Sequence, residues 1–196
     1  MVMRTPVVRH TTAADEAAVI DTIVLAFSGD PMARWCWPAP STYLASMPAF
    51  TRAFAGRAFK HETAHCTDDV MGGALWLAPG IAPDEEAAVS LLERTTSESI
   101  RDDLFGVFEQ MASYHPEEPH WYLPLIGVDP AAQGRGCGSA LLSYALERCD
   151  RERATAYLES SNPRNIPLYE RHGFERLGRI QVGRSPQVVP MLRRPR

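Results

Sequence analysis

Apolar residues recur at helical spacing after an acidic first turn at Asp15 and Glu16. Ala17, Val19, Ile20, Ile23, Val24 and Phe27 return every three or four positions, which predicts an amphipathic helix. Ahead of it, Val7 to Thr11 is a short β-branched run of strand character. The segment Ser28 to Pro40, rich in Gly and Pro, predicts a loop and carries Trp35 and Trp37. A helix follows over Tyr43 to Arg57, then two strands, Phe59 to Cys66 and Val70 to Leu77, joined at Asp68-Asp69. Pro83 to Tyr114 reads as helical, acidic at its start, and is the largest candidate insertion.

The second half has a plainer pattern. Trp121 to Val128 is a buried-type strand that ends at Asp129-Pro130. A glycine-rich loop follows, and then Ala140, Leu141, Leu142, Ala145 and Leu146 form one helix face. Ala154 to Ser160 is the next strand, and Ile166 to His172 a short helix closed by Gly173. Phe174 to Val182 and Gln187 to Leu192 finish as strands around a loop at Gly183 to Pro186. Strand, loop, helix, strand is a βαβ unit, so an α/β layered fold follows. With 196 residues and no internal repeat, residues 1–196 are expected to form one domain.

Composition narrows the function classes. Hydrophobic residues at 45 % and charged residues at 22 % are ordinary for a soluble globular chain. A net charge of -4 argues against nucleic acid as partner, which calls for a basic excess. Met1 to Glu16 lacks the apolar stretch of a signal peptide, and no run approaches the ~18 apolar residues of a membrane span. Cys36, Cys66, Cys137 and Cys149 form no CxxC pair, so neither a disulfide framework nor a cysteine metal site is signalled. A cytoplasmic protein, monomer or homodimer, without membrane contact, is the simplest expectation.

The loop Gln133-Gly134-Arg135-Gly136-Cys137-Gly138-Ser139 is where chemistry first shows. A helix start offers unpaired N–H groups and a positive dipole end, a ready site for phosphate. Glycines let the backbone approach a ligand, and Arg135 adds a forked cation suited to a pyrophosphate. The mononucleotide pattern GxxxxGK[ST] is absent, and GxGxxG fails because Ser139 stands at the third glycine position. An ordinary glycine-rich turn remains compatible with the heptapeptide alone.

Its neighbourhood is more specific. Gln133-x-x-Gly136-x-Gly138 after the strand ending Gly127-Val128, followed by Asn165, Tyr169 and Gly173-Phe174, resembles the GNAT acetyltransferase superfamily. Glu118 to Leu123, Tyr157 to Ser160 and Asn162 to Asn165 are most similar to the puromycin N-acetyltransferase type within it. The resemblance implies a mixed, mostly antiparallel, twisted sheet of about seven strands with helices on both faces and a helical insertion between strands three and four. It implies acetyl-coenzyme A as cofactor, held by Gln133 to Ser139, by Asn165 and Tyr169, and by the backbone of Ile126, Gly127 and Val128, where the fourth strand should bulge. The reaction implied is acetyl transfer by direct attack of a primary amine of a small molecule. Tyr169 would protonate the departing sulfur, since a phenol with a reference pKa of ~10 stays protonated near neutral pH. Glu159 is the leading general base, on the strand opposite the cofactor where the sheet should part. His120 and Asp30 are its runners-up, and a water chain in place of all three is the remaining alternative. Asp30, Trp35, Trp37 and His120 are expected on the acceptor side, with the Gly183 to Pro186 loop, although both tryptophans could equally be core anchors. A non-catalytic acyl-coenzyme A sensor would use the same loop.

One competing motif stands outside this picture. His61-Glu62-Thr63-Ala64-His65 fits HExxH, the zinc-peptidase pattern, which requires a helix to bring both histidines to one ion. The segment falls where the fold wants a strand, and there the histidines would lie ~13 Å apart.

Overall fold

The computed structural model describes residues 6–196. Seven strands form one sheet in the order β1-β2-β3-β4-β5-β7-β6. They are β1 (Val8–His10), β2 (Ala64–Thr67), β3 (Gly72–Leu77), β4 (His120–Val128), β5 (Thr155–Ser160), β6 (Glu175–Arg176) and β7 (Val189–Arg193). All neighbours pair antiparallel except β4 and β5, which run parallel. A parallel pair needs a crossover, and α7 (Cys137–Arg151) supplies it.

The remaining helices precede or follow that unit. Before β4 lie α1 (Glu16–Ala26), α2 (Pro31–Cys36), α3 (Pro40–Ala55), α4 (Arg57–Lys60), α5 (Glu85–Thr95) and α6 (Glu98–Tyr114); α8 (Ile166–Arg171) follows β5. Strand alternation sorts side chains between two cores. Leu75, Leu77, Tyr122 and Tyr157 join Val19, Ile20, Trp37 and Tyr43 on one face. Ala74, Trp76, Trp121, Leu123 and Leu158 join Leu141, Leu142, Tyr169 and Phe174 on the other. Helices therefore cover both faces, as the resemblance implied.

Close approach of α1 to the sheet depends on a cross-strand pair of glycines, Gly73 opposite Gly127. A Cβ on Gly127 would lie 2.6 Å from the Ala26 methyl, and one on Gly73 would lie 2.8 Å from Val19. The helix ends are tied by side chains. Tyr43 donates its hydroxyl proton to the Val24 carbonyl at 2.5 Å, and Trp37 Nε1 donates to Thr95 at 3.0 Å. The buried Arg193 of β7 forks onto Asp150 at the end of α7 at 2.8 and 2.7 Å, bidentate geometry that fixes two elements at once.

Several boundaries differ from the sequence reading. Ser28 to Pro40 is mostly helix rather than loop, because Asp30 caps α2 and Pro31 occupies its first turn. The strand expected from Phe59 begins only at Ala64; Phe59 and Lys60 close α4. The long helical insertion is two helices, broken where Thr96 turns extended and Ser97 caps α6. The first C-terminal strand shrinks to Glu175–Arg176, with a separate bridge from Ile180 to Val188.

Candidate active site

The pairing of β4 with β5 runs only through His120↔Thr155, Trp121↔Ala156 and Tyr122↔Tyr157. Beyond Tyr122 and Tyr157 the two strands separate. The cause lies in β4. Opposite the β3 step from Leu75 to Leu77, β4 advances from Leu125 back to Tyr122, which inserts one extra residue. Tyr122 and Leu125, three apart, consequently face the same core. Pro124 sits in this bulge and has no N–H to donate, so a regular ladder could not run through it. The bulge therefore falls at Leu123-Pro124, not near Ile126 to Val128. Those three residues pair regularly with Ala74, Gly73 and Gly72. Gly127 is accounted for by the seat of α1, while the β5-facing edge of this stretch has no strand partner among the described residues.

At the open end of the gap stands the glycine loop. Gly134 and Gly136 adopt φ of 74° and 86°, a left-handed region that penalises a side chain. Gly136 is the N-cap of α7, and no side chain caps that helix start. The amides of Cys137, Gly138 and Ser139 are thus uncommitted, and the space around Gly134 is open. Side chains here point elsewhere. The Cys137 thiol is buried toward the Ala132 carbonyl, Ser139 pairs with His172 Nε2 at 3.0 Å, and Gln133 donates to the Val128 carbonyl at 3.2 Å. A Cβ on Gly138 would meet Leu168 of α8 at 3.2 Å. Exposed Arg135 completes a cradle of backbone donors with one cation, which fits a diphosphate.

Across the gap, on the face of α1 and α3, lies an apolar chamber of about 90 Å³. Phe27, Trp37, Phe50, Phe54 and Phe108 are among its walls, and Asp30, Glu159 and Ser161 supply its polar groups. Asp30 is buried. Its Oδ1 accepts from the amides of Met32 and Ala33 at 2.9 and 3.0 Å, and Oδ2 accepts from the Ser161 hydroxyl at 2.7 Å. Burial raises its pKa above the usual carboxylate value, against the pull of those three donors. The Glu159 side chain is 3 % exposed, and its Oε1 lies 3.3 Å from His115 Nε2 without a hydrogen bond that meets normal geometry. Tyr122 and Tyr157 flank it; burial first, then the Glu159 charge, pushes both phenols up. The chamber shares Phe54, Leu92, Phe108, Met111 and Tyr122 with an outer cleft of about 1040 Å³. Glu85, Glu93, Glu109, Glu117 and Glu118 line that cleft together with His115 and His120.

A family model described as Acetyltransferase (GNAT) family matches residues 74–174, half of the chain. The chain belongs to the GNAT acetyltransferase family. A Corynebacterium glutamicum structure described as histone acetyltransferase HPA2 and related acetyltransferase is 27% identical, with 98% of both chains covered and a TM-score of 0.71. Arylalkylamine N-acetyltransferase 2 of Aedes aegypti shares the fold at 14% identity, covering 97% of this chain and 99% of that one, with a TM-score of 0.68. An uncharacterized N-acetyltransferase of Schizosaccharomyces pombe is 30% identical over 63% of this chain, which spans 55% of that protein's length. Mycothiol acetyltransferase of Salinispora arenicola is 43% identical over 26% of this chain, a match spanning 18% of that protein.

With the GNAT frame in place, the sequence-predicted residues fall into groups. Asp30 and Glu159 line the chamber, Gln133 to Ser139 follow the open end of β4, and Tyr169 belongs to the core on the α7 side of the sheet. Tyr169 is buried on α8, edge-on to Phe174 at 6.1 Å, its pKa raised by burial first and then by the Asp30 charge. Asn165 lies exposed at the start of α8 without capping it. Trp37 lines the chamber, but Trp35 packs against the core from outside it. His120 opens onto the outer cleft rather than the chamber. The Gly183 to Pro186 loop docks on α6, where the Arg184 amide donates to Asp103 at 3.1 Å, so it does not wall the chamber. The HExxH histidines are separated by secondary structure. His61 follows the end of α4 and is exposed, whereas His65 lies buried in β2 between His10 and Tyr144. They do not share a helix face, and no cluster of metal-ligating residues occurs among the described residues.

Sequence reasoning missed His115, Tyr122, Pro124 and Ser161. Pro124 was readable, since proline inside a strand marks an edge or bulge. His115 and Ser161 meet Glu159 and Asp30 only through long-range folding, for which the sequence carries no local signal.

Proposed function

We propose that the protein transfers the acetyl group of acetyl-coenzyme A to a primary amine of a small molecule by direct attack. The observation that carries this reading is the parted β4–β5 pair, with an uncapped helix start at its mouth and carboxylates on its far side. The bound coenzyme supplies the thioester that activates the acetyl group. The amides of Cys137 to Ser139 and Arg135 hold the diphosphate, and the free edge of Leu123–Val128 offers main-chain groups for strand addition. Glu159 accepts the amine proton, and Tyr169, kept protonated by burial, donates one to the departing sulfur.

The acceptor class follows from the chamber. Aromatic walls suit an apolar body, Asp30 and Glu159 suit an ammonium group, and the acidic cleft outside attracts cations. Structural neighbours described as arylalkylamine and polyamine N-acetyltransferases support an amine acceptor. Puromycin belongs in the test panel because of the segment resemblance around Glu118 to Leu123.

The deciding experiment is a thiol-release assay with acetyl-coenzyme A across aromatic amines, polyamines and puromycin, beside calorimetry with coenzyme A. Binding with amine-dependent release is expected. Binding without release for any amine points instead to an acyl-coenzyme A sensor. Absence of binding removes the reading altogether.

A further inference from the structure

Glu159 is sealed in the sheet, so a proton it accepts needs a way out. Two histidines that line the outer cleft stand in line from it. Glu159 Oε1 lies 3.3 Å from His115 Nε2. His115 Nδ1 lies 3.1 Å from His120 Nε2, and His120 Nδ1 lies 2.8 Å from the Glu118 carbonyl oxygen.

Donor and acceptor bookkeeping fixes the tautomers. A carbonyl oxygen only accepts, so His120 Nδ1 carries a hydrogen and donates it to Glu118. Neutral His120 then presents a lone pair at Nε2, which requires His115 Nδ1 to be the donor between the rings. Neutral His115 is left with a bare Nε2, and it faces a carboxylate oxygen that also only accepts. Two acceptors at that distance repel unless one proton sits between them. The arrangement thus has one proton place at the inner end and one outlet at the other.

We propose that Glu159, His115 and His120 form a proton relay that carries the amine proton from the chamber to the outer cleft. This rests on the acetyl-transfer reading above. An incoming ammonium gives its proton to Glu159, which passes it across the 3.3 Å gap to the bare Nε2 of His115. His115 releases its Nδ1 proton to His120 Nε2, and the doubly protonated His120 swings off the Glu118 carbonyl and sheds its Nδ1 proton to water in the cleft. One proton enters, one leaves, and no bond to carbon changes. Burial lowers the His120 pKa, which favours release at the outer end. The groups that face the relay are Tyr157 of β5, 4.5 Å from the His115 ring, Tyr122 of β4 at 4.7 Å, and Glu118 beside His120. His115 belongs to the segment that joins α6 to β4, so it is set by the helical insertion rather than by the sheet.

His115→Gln keeps a hydrogen-bonding side chain but cannot pass a proton through a ring. The relay predicts that its kcat falls on the order of 10- to 100-fold, with KM for amine and coenzyme nearly unchanged. His120→Ala is expected to lose activity similarly and to regain it with added imidazole, for which the wide cleft has room. His115→Gln with kcat within two-fold of the parent across the pH profile overturns the proposal. So does a His120→Ala loss that imidazole leaves untouched. A second measurement guards against misfolded variants. Imidazole ¹⁵N NMR of the unaltered protein is expected to show His120 protonated at Nδ1, and a His120 protonated only at Nε2 overturns the wiring. That readout needs no turnover, so failure of the acetyl-transfer reading, seen as no thiol release, is scored separately.

Discussion

Asp30 holds two jobs that substitutions can separate. As N-cap of α2 it accepts from two amides, and as a buried carboxylate it gives the chamber negative charge. Asp30→Ala removes both and is expected to cost about 1–2 kcal/mol of stability in denaturant titrations. Asp30→Asn keeps the capping oxygen, so stability should hold while KM for a cationic amine rises several-fold. Because burial raises the Asp30 pKa, the folded state binds the extra proton; this residue's contribution to stability therefore falls as pH climbs above its unfolded value of 3.8. The asparagine variant should lose that slope. Tyr169→Phe tests the other side of the gap. The phenol sits in the core, but its ring packs on Phe174 through carbon, so the variant should fold normally and bind coenzyme A. Turnover is expected to drop on the order of 100-fold, the scale of a lost general acid. Unchanged turnover takes Tyr169 out of the mechanism.

Among the elements, the glycine-loop unit was the most legible in sequence, because strand, loop and helix are contiguous and their chemistry is local. Gly136→Ala forces a side chain into φ of 86°, at a cost of about 1–2 kcal/mol. If the turn shifts to relieve that strain, the amides of α7 leave their positions. Calorimetry should then show coenzyme A binding weakened about 10-fold, with a matching small loss of thermal stability. The α2 helix shows the opposite lesson. Its composition suggested a loop, yet Asp30-Pro31 is an N-cap followed by proline in the first turn, a start signal that Gly29 and the later prolines obscured. The resemblance puts the β4 bulge near Ile126 to Val128, which is too late, although Pro124 marks its true place in the sequence. His115 beside Glu159 could not be read at all, since α6 and β5 meet only in the folded chain.

For the molecule as a whole, pH dependence of stability is set partly by His65. Its ring is buried between His10 and Tyr144, and burial lowers its pKa from 6.5 to about 3. The unfolded chain binds a proton there that the folded chain refuses. Stability from this group is complete above about pH 6.5 and declines as pH falls toward 3, by at most about 1.4 kcal/mol per pH unit. His65→Leu should flatten the acid limb of a melting-temperature profile; an unchanged limb would assign the loss to other groups. The sheet also sorts traffic. Its glycine-loop side belongs to α7 and α8, while the acidic cleft opens among α5, α6 and β4. Two ligands approaching from opposite sides do not block each other's entry. Initial-velocity plots should therefore intersect, and neither reactant should be obliged to load before the other.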